Sequence, residues 1–195
     1  MTDLDTRPAT APAAVEIADP GPLGLAGFAT TTFVLSCFNV GFITQGASVV
    51  LGLALAYGGV AQLLAGMWEF RKGNTFGAVA FSSFGAFWIS FWALVSFAKD
   101  ATPKAIGVYL LAWCIFTAYM TVASMKTNTV VLAVFVALTI TFLFLAIGAL
   151  GGNTSMTKVG GALGLLTAFL AWYGSFAAVT NATWKRTVLP VWPRG

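Results

Sequence analysis

The chain of 195 residues is 58% hydrophobic and only 8% charged, with a formal net charge of +4. Ordinary soluble domains carry about 25% charged residues, so this composition excludes a soluble globular protein, which needs polar groups to cover its surface. The small, dispersed positive charge excludes a nucleic-acid surface. With no histidine, and with Cys37 and Cys114 both in apolar segments, a Cys/His metal site is excluded as well.

No metal or cofactor is therefore expected, and the two thiols read as inert rather than bridged. The chain reads as an integral membrane protein. Met1 to Asp19 is rich in Ala, Thr and Pro, without the basic start and apolar core of a signal peptide. Residues 1–19 are expected to be a retained, disordered, cytoplasmic tail. At Asp19-Pro20-Gly21-Pro22 the tail gives way to apolar chain. The prolines and glycine stop any upstream helix, and Pro22 fits the first turn of a new one, where its missing N–H costs nothing.

Six apolar segments follow, each about long enough to cross the hydrocarbon core: Leu23–Thr44, Ser48–Phe70, Thr75–Ala98, Ala105–Ser124, Thr129–Leu150 and Val159–Val179. Gln45-Gly46, Arg71-Lys72-Gly73-Asn74, Lys99-Asp100-Ala101-Thr102-Pro103, Lys126-Thr127-Asn128 and Gly151-Gly152-Asn153 break them. The connections are too short for a separate soluble domain. The expected fold is an all-α membrane protein, one bundle of six transmembrane helices over residues 20–182, with a cytoplasmic tail over 183–195.

One side of the bundle collects Arg7, Arg71, Lys72, Lys126, Lys185, Arg186 and Arg194; the other collects Lys99, Lys104 and Lys158. This bias puts both termini in the cytoplasm of a cell that carries the protein in its plasma or inner membrane. The first and fourth segments each start shortly after a proline, Pro22 and Pro103, so two halves of three helices could form an inverted repeat. Gly160 and Gly164, Gly148 and Gly152, and the heptad series Gly52, Gly59 and Gly66 let helices approach closely, within one subunit or between subunits.

No Lys, Arg, Asp or His lies well inside a span, and there is no Ser-His-Asp set, carboxylate pair or phosphate loop. Hydroxyls, amides and one Glu are poor equipment for acid–base or nucleophilic catalysis, so no enzyme is expected. They suit permeation. Phe28, Thr32, Leu35 and Asn39 share one face of the first helix. The Asn39 amide needs a partner in lipid and should face the interior, as an interhelical hydrogen bond or as a stop for a carboxylate. Thr31 and Thr32 could donate likewise, or bond their own backbone. On the second helix Gly59, Gln62, Gly66 and Glu69 share a face. Gln62 is deep and poses the same choice as Asn39. Glu69, beside Arg71 and Lys72, reads either as an interfacial residue paired with those bases or as a proton-responsive group at a pore mouth. Gly77, Phe81, Phe84 and Trp88 share a face of the third helix, where aromatics ordinarily serve packing or lipid contact.

Asp19-Pro20-Gly21-Pro22-Leu23-Gly24-Leu25 resembles the Asn-Pro-Ala-Pro-Leu-Gly-Leu signature of the acetate uptake transporter family, which includes the bacterial succinate–acetate permeases. Asp replaces the first Asn and Gly the Ala. The resemblance continues in Asn39-Val40-Gly41, Tyr57-Gly58-Gly59-Val60-Ala61-Gln62, Lys72-Gly73-Asn74-Thr75-Phe76-Gly77, Phe84-Gly85-Ala86-Phe87-Trp88 and Arg186-Thr187-Val188-Leu189-Pro190. It implies acetate as substrate, a homo-oligomer in the form of a hexameric ring, and an apolar constriction built from a Phe, a Tyr and a Leu. The matching positions are Phe28, Phe84 and Leu138. Phe84 stands where relatives carry Tyr, which removes a hydroxyl from the narrowest point. Phe38 stands where some relatives carry His, so a histidine proton relay is absent.

The expected function is transmembrane transport of acetate and related small monocarboxylates, with succinate a further candidate, by an anion channel or a proton-coupled symporter. An apolar waist suits the methyl group and interrupts water. Amides, hydroxyls and helix starts can hold the carboxylate without a counter-charge that would slow its release. Substrate identity rests on the resemblance; the residues alone point to a small polar or weakly acidic solute. A channel for a neutral amide such as urea, a membrane sensor that moves nothing, and, least of all, a membrane enzyme are the alternatives.

Overall fold

The computed structural model describes residues 17–194. The tail expected over residues 1–19 thus lies almost wholly outside the described residues. Among the described residues six helices are long and apolar enough to cross a membrane: α1 (Gly21–Val40), α2 (Val49–Lys72), α3 (Thr75–Phe97), α4 (Pro103–Ser124), α5 (Thr129–Gly151) and α6 (Thr154–Trp184). Their starts follow from short polar side chains that accept backbone N–H groups left without partners by the helix. Asn74 Oδ1 accepts from Gly77 at 3.1 Å, Thr102 Oγ1 from Ala105 at 3.2 Å, Asn128 Oδ1 from Val131 at 2.9 Å and Asn153 Oδ1 from Ser155 at 3.0 Å. In α1 the first turn holds Pro22 instead.

α6 departs from the expected segment. It runs for 31 residues, beginning at Thr154 and ending at Trp184. Hydropathy marks only the stretch that can lie in lipid, whereas the helix persists from its Asn153 cap to Lys185, whose φ of 52° turns the chain. The residues beyond do not hang free of the bundle. The Asn181 side chain accepts from the Val188 and Leu189 N–H groups at 2.7 and 3.0 Å and donates to the Leu189 carbonyl at 2.8 Å. The Tyr173 hydroxyl donates to the Pro190 carbonyl at 2.8 Å, and the Thr129 N–H to that of Trp192 at 2.9 Å. The C-terminal stretch is a clasp across the end of α6 and the start of α5.

Consecutive helices pack within each half, α1 with α2 and α2 with α3, then α4 with α5 and α5 with α6; α1 and α6 join the halves. On the opposite side the α3 and α4 backbones stand apart and aromatic rings fill the gap. Phe84 meets Phe116 at 5.4 Å and Phe87 meets Trp113 at 5.1 Å, centroid to centroid, while the Tyr109 hydroxyl donates to the Phe87 carbonyl at 3.2 Å. Three helices per half set α1 and α4 antiparallel.

α2 contains a π-helical stretch over Ala56–Ala61, around Tyr57-Gly58-Gly59. Its wider turn presses against α1. A Cβ on Gly27 would lie 2.5 Å from the Tyr57 carbonyl oxygen, and one on Gly58 would lie 2.5 Å from Thr31 Oγ1. Only glycine allows that approach. Gly66 likewise receives Ser82 of α3, Gly160 receives Leu145 of α5 and Gly164 receives Ser36 of α1, so these glycines pack within the chain. A Cβ on Gly52 would meet nothing within 4 Å among the described residues.

Candidate functional site: two cavities and an apolar layer

Two cavities lie between α1, α3 and α5. The first, of about 470 Å³, is flanked by the later turns of these helices and the start of α4. Its polar lining comes from Thr32, Ser36 and Asn39 on α1 and from Trp88, Tyr109, Thr141 and Thr157. None of its lining residues is charged. The second, of about 350 Å³, lies among the starts of α1, α3 and α5 and the end of α2. It is lined by Gln62, Glu69 and Asn74, with Asp19 and Lys72 among the charged groups.

Phe28 and Leu138 line both cavities, and Phe84 lines the second. The Phe28 and Phe84 rings are 5.7 Å apart, and Phe84 also meets Trp113, Phe116 and Phe135. All three of Phe28, Phe84 and Leu138 are buried. The structure therefore brings these three side chains, from α1, α3 and α5, into one apolar layer between the cavities. At Phe84 no hydroxyl enters that layer.

The adjacent threonines separate. Thr31 lines neither cavity; it is fully buried against α2 and donates to the Gly27 carbonyl at 2.9 Å. Thr32, about 100° further round the helix, lines the first cavity, and its Oγ1 is buried with no partner among the described residues. Asn39 lines the first cavity two turns beyond Thr32. Gln62 lines the second cavity with its Oε1 buried and, among the described residues, unpartnered.

Glu69 is 1% exposed and lines the second cavity. Among the described residues it is not paired with Arg71 or Lys72. Its Oε2 accepts from Asn74 Nδ2 at 2.9 Å, while Lys72 Nζ pairs with Asp19 Oδ1 at 2.7 Å. The short carboxyl side chain stays inside the bundle, whereas the long lysine stem reaches the mouth. Asn74 thus serves two groups, since its Oδ1 caps α3.

Ser36, Asn74 and Trp88 belong to the site and were not among the polar candidates read from the sequence. Ser36 could have been found, because it lies four residues after Thr32 and three before Asn39 on the same stripe. Trp88 could not: aromatic periodicity gives no sign that Nε1 is buried without a partner. Among the described residues no cluster of three or more His, Cys, Asp or Glu could hold a metal ion. The arrangement offers hydrogen-bond donors and acceptors on either side of an apolar neck, the equipment for passing a small amphiphilic solute.

Known proteins share this sequence and geometry. The sequence profile of the GPR1/FUN34/yaaH family matches residues 2–193. The chain is 44% identical over 201 residues to ammonia transport outward protein 2 of Saccharomyces cerevisiae, covering 96% of this chain and 70% of that one. It is 41% identical over 182 residues to the succinate-acetate/proton symporter SatP of Escherichia coli K12, covering 90% and 96%. The solved structure of the bacterial acetate channel SatP matches with a TM-score of 0.87 at 39% identity, over 90% of this chain and 99% of that one. This chain belongs to the GPR1/FUN34/yaaH family.

Proposed function

We propose that this multi-pass membrane protein moves acetate and related small monocarboxylates across the bilayer, from one cavity to the other through the layer of Phe28, Phe84 and Leu138. The observation that carries this reading is the meeting of two largely apolar cavities, each with a few polar side chains, at a single layer whose members come from three helices. Acetate has an apolar end that can enter such a layer and a charged end that cannot stay there. Its carboxylate is handed between donors on either side, the Gln62 amide in the second cavity and the α1 hydroxyls and Asn39 amide in the first. With no cation lining the first cavity, the anion is held by dipoles alone and leaves readily.

Arg71, Lys72, Lys126, Lys185 and Arg186 gather at the end where the second cavity lies, so that end faces the cytoplasm with both termini. Glu69 is the proton-responsive group in this reading, since it is the buried carboxylate lining that cavity. The protein works as a homo-oligomer, a ring of six by its family resemblance, with one pathway through each subunit. No covalent step belongs to the mechanism.

Radiolabelled acetate uptake into liposomes tests the proposal, at neutral pH or above, with empty liposomes as the control. Uptake that follows an inside-positive potential without a pH gradient establishes an anion channel. Uptake restored only by an inside-alkaline gradient establishes proton coupling. No protein-dependent acetate uptake under either condition overturns the proposal, and urea flux measured alongside then tests the neutral-amide alternative.

A further inference from the structure

We propose that the C-terminal clasp is part of the permeation path: it forms one wall of the second cavity's mouth, where the Val191 side chain sets the width. This deepens the transport reading and rests on it. Val191 lines the second cavity in company with Asp19, Lys72, Asn74, Asn128 and Asn181. Asp19, Asn74 and Asn128 lie just before the starts of α1, α3 and α5, and Lys72 is the last residue of α2. These residues therefore mark the outermost level of the cavity. Val191 is apolar among polar groups, and it comes from a segment beyond the last helix.

The first observation is how firmly that segment is held. Each carbonyl from Leu189 to Trp192 accepts from a donor on α6 or α5. That of Leu189 takes Asn181 Nδ2 at 2.8 Å and that of Pro190 the Tyr173 hydroxyl at 2.8 Å. Those of Val191 and Trp192 share the Thr129 N–H at 3.1 and 2.9 Å. The Thr129 hydroxyl adds a bond to the Trp192 carbonyl at 3.2 Å, and the Arg194 N–H donates to the Thr127 carbonyl at 2.9 Å. Pro190 and Pro193 fix their own φ and have no N–H to satisfy. A segment that merely trailed from α6 would leave these groups to water. Its place is fixed, so it serves as a wall rather than a lid.

The second observation is which side chain the wall presents. Val191 is half-buried and lines the cavity, whereas Trp192 is 55% exposed and does not line it. Trp192 has a φ of 50°, a left-handed conformation that bulky residues rarely adopt, and the bonds to its carbonyl hold it there. The chain thus turns sharply just after Val191, with the indole outward and the valine over the mouth. A valine side chain offers an entering anion neither a hydrogen bond nor a charge, so it acts through size alone. A carboxylate with a short tail clears it, and a longer tail meets it before reaching Phe28. Val191 is in this way a specificity-determining residue at the entrance.

The test is thiol labelling of the full-length protein in liposomes, with acetate flux measured before and after a negatively charged methanethiosulfonate is added to both faces. Val191→Cys is compared with Trp192→Cys, each against its own unlabelled flux. The wild type is the reagent control, since Cys37 and Cys114 line neither cavity. Labelling is expected to cut flux several-fold in Val191→Cys and to leave Trp192→Cys unchanged, and saturating acetate to slow labelling of the first alone. Equal loss in both variants, undiminished flux in labelled Val191→Cys, or a Val191→Cys thiol that does not label overturns the proposal. Should Val191→Cys fail to fold, Val191→Phe decides: flux should fall further for butyrate than for acetate, and an unchanged ratio overturns the proposal. In a wild-type protein that moves no acetate, labelling of Val191→Cys slowed by acetate sustains the mouth and overturns transport, whereas labelling indifferent to acetate overturns both.

Discussion

The rings of Phe28 and Phe84 meet at 5.7 Å with a 56° tilt, joining α1 to α3 at the level where the two cavities approach each other. Each ring is almost fully buried, although Phe28 borders open space both above and below. In the proposed pathway this contact is a septum as well as a packing interaction. Phe28→Ala should merge the cavities. Truncating a packed Phe costs about 3–5 kcal/mol; the open space on either side places this one near the lower end. Acetate flux should change by several-fold and larger solutes such as succinate should gain entry. Wild-type flux and selectivity in a well-expressed variant would remove Phe28 from the pathway.

Phe84 is caged by Phe28, Trp113, Phe116 and Phe135. Phe84→Tyr, which restores the family's residue, places a hydroxyl at the edge of that cage. A buried hydroxyl without a partner costs about 1–3 kcal/mol, so the melting temperature should fall by a few degrees. The same hydroxyl gives a passing polar group a partner, and the ratio of succinate to acetate flux should rise. A ratio equal to wild type would show that the aromatic hydroxyl plays no part in selectivity.

Glu69→Gln keeps an oxygen that can accept from Asn74 and removes the charge. If Glu69 carries the coupled proton, uptake driven by a pH gradient should drop by about tenfold while potential-driven uptake persists; tenfold corresponds to about 1.4 kcal/mol. Full retention of the pH-driven component would assign proton coupling elsewhere. Asn74→Ala removes both the cap on α3 and the Glu69 partner. It should lower stability by about 2 kcal/mol, combining a lost cap with a lost bond to a carboxylate, as measured by thermal unfolding in detergent.

Gly27→Ala brings a methyl to 2.5 Å from the Tyr57 carbonyl oxygen, a backbone atom that moves only if α2 moves. Overpacking of this kind costs about 1–3 kcal/mol, and the variant should lose melting temperature and yield. Gly52→Ala is the counterpart, with nothing within 4 Å of the new methyl. Alanine in a helix interior gains about 0.5–1 kcal/mol over glycine, so the monomer should become slightly more stable. A shift in oligomer size for Gly52→Ala, read by light scattering, would instead place Gly52 between subunits.

The number of spans, the positions of their breaks and the polar stripe of α1 are legible along the chain. Hydropathy over twenty residues, cap chemistry at Asn74, Thr102 and Asn128, and a 3.6-residue period are local properties that neighbours along the chain supply. Phe28, Phe84 and Leu138 could be chosen only by resemblance, because no period within one helix tells which residue of another stands opposite. The remaining relationships arise from contacts between helices. Tertiary structure separated Thr31 from Thr32, because one presses on Gly58 and the other borders a cavity. It paired Glu69 with Asn74 and Lys72 with Asp19, because side-chain length decides which group reaches the mouth. It folded residues 188–192 back through Asn181 and Thr129, bonds that span turns no hydropathy window can see. It left Thr32 and Trp88 without partners among the described residues beside one cavity, since whether a donor is satisfied depends on groups distant in the chain and near in space.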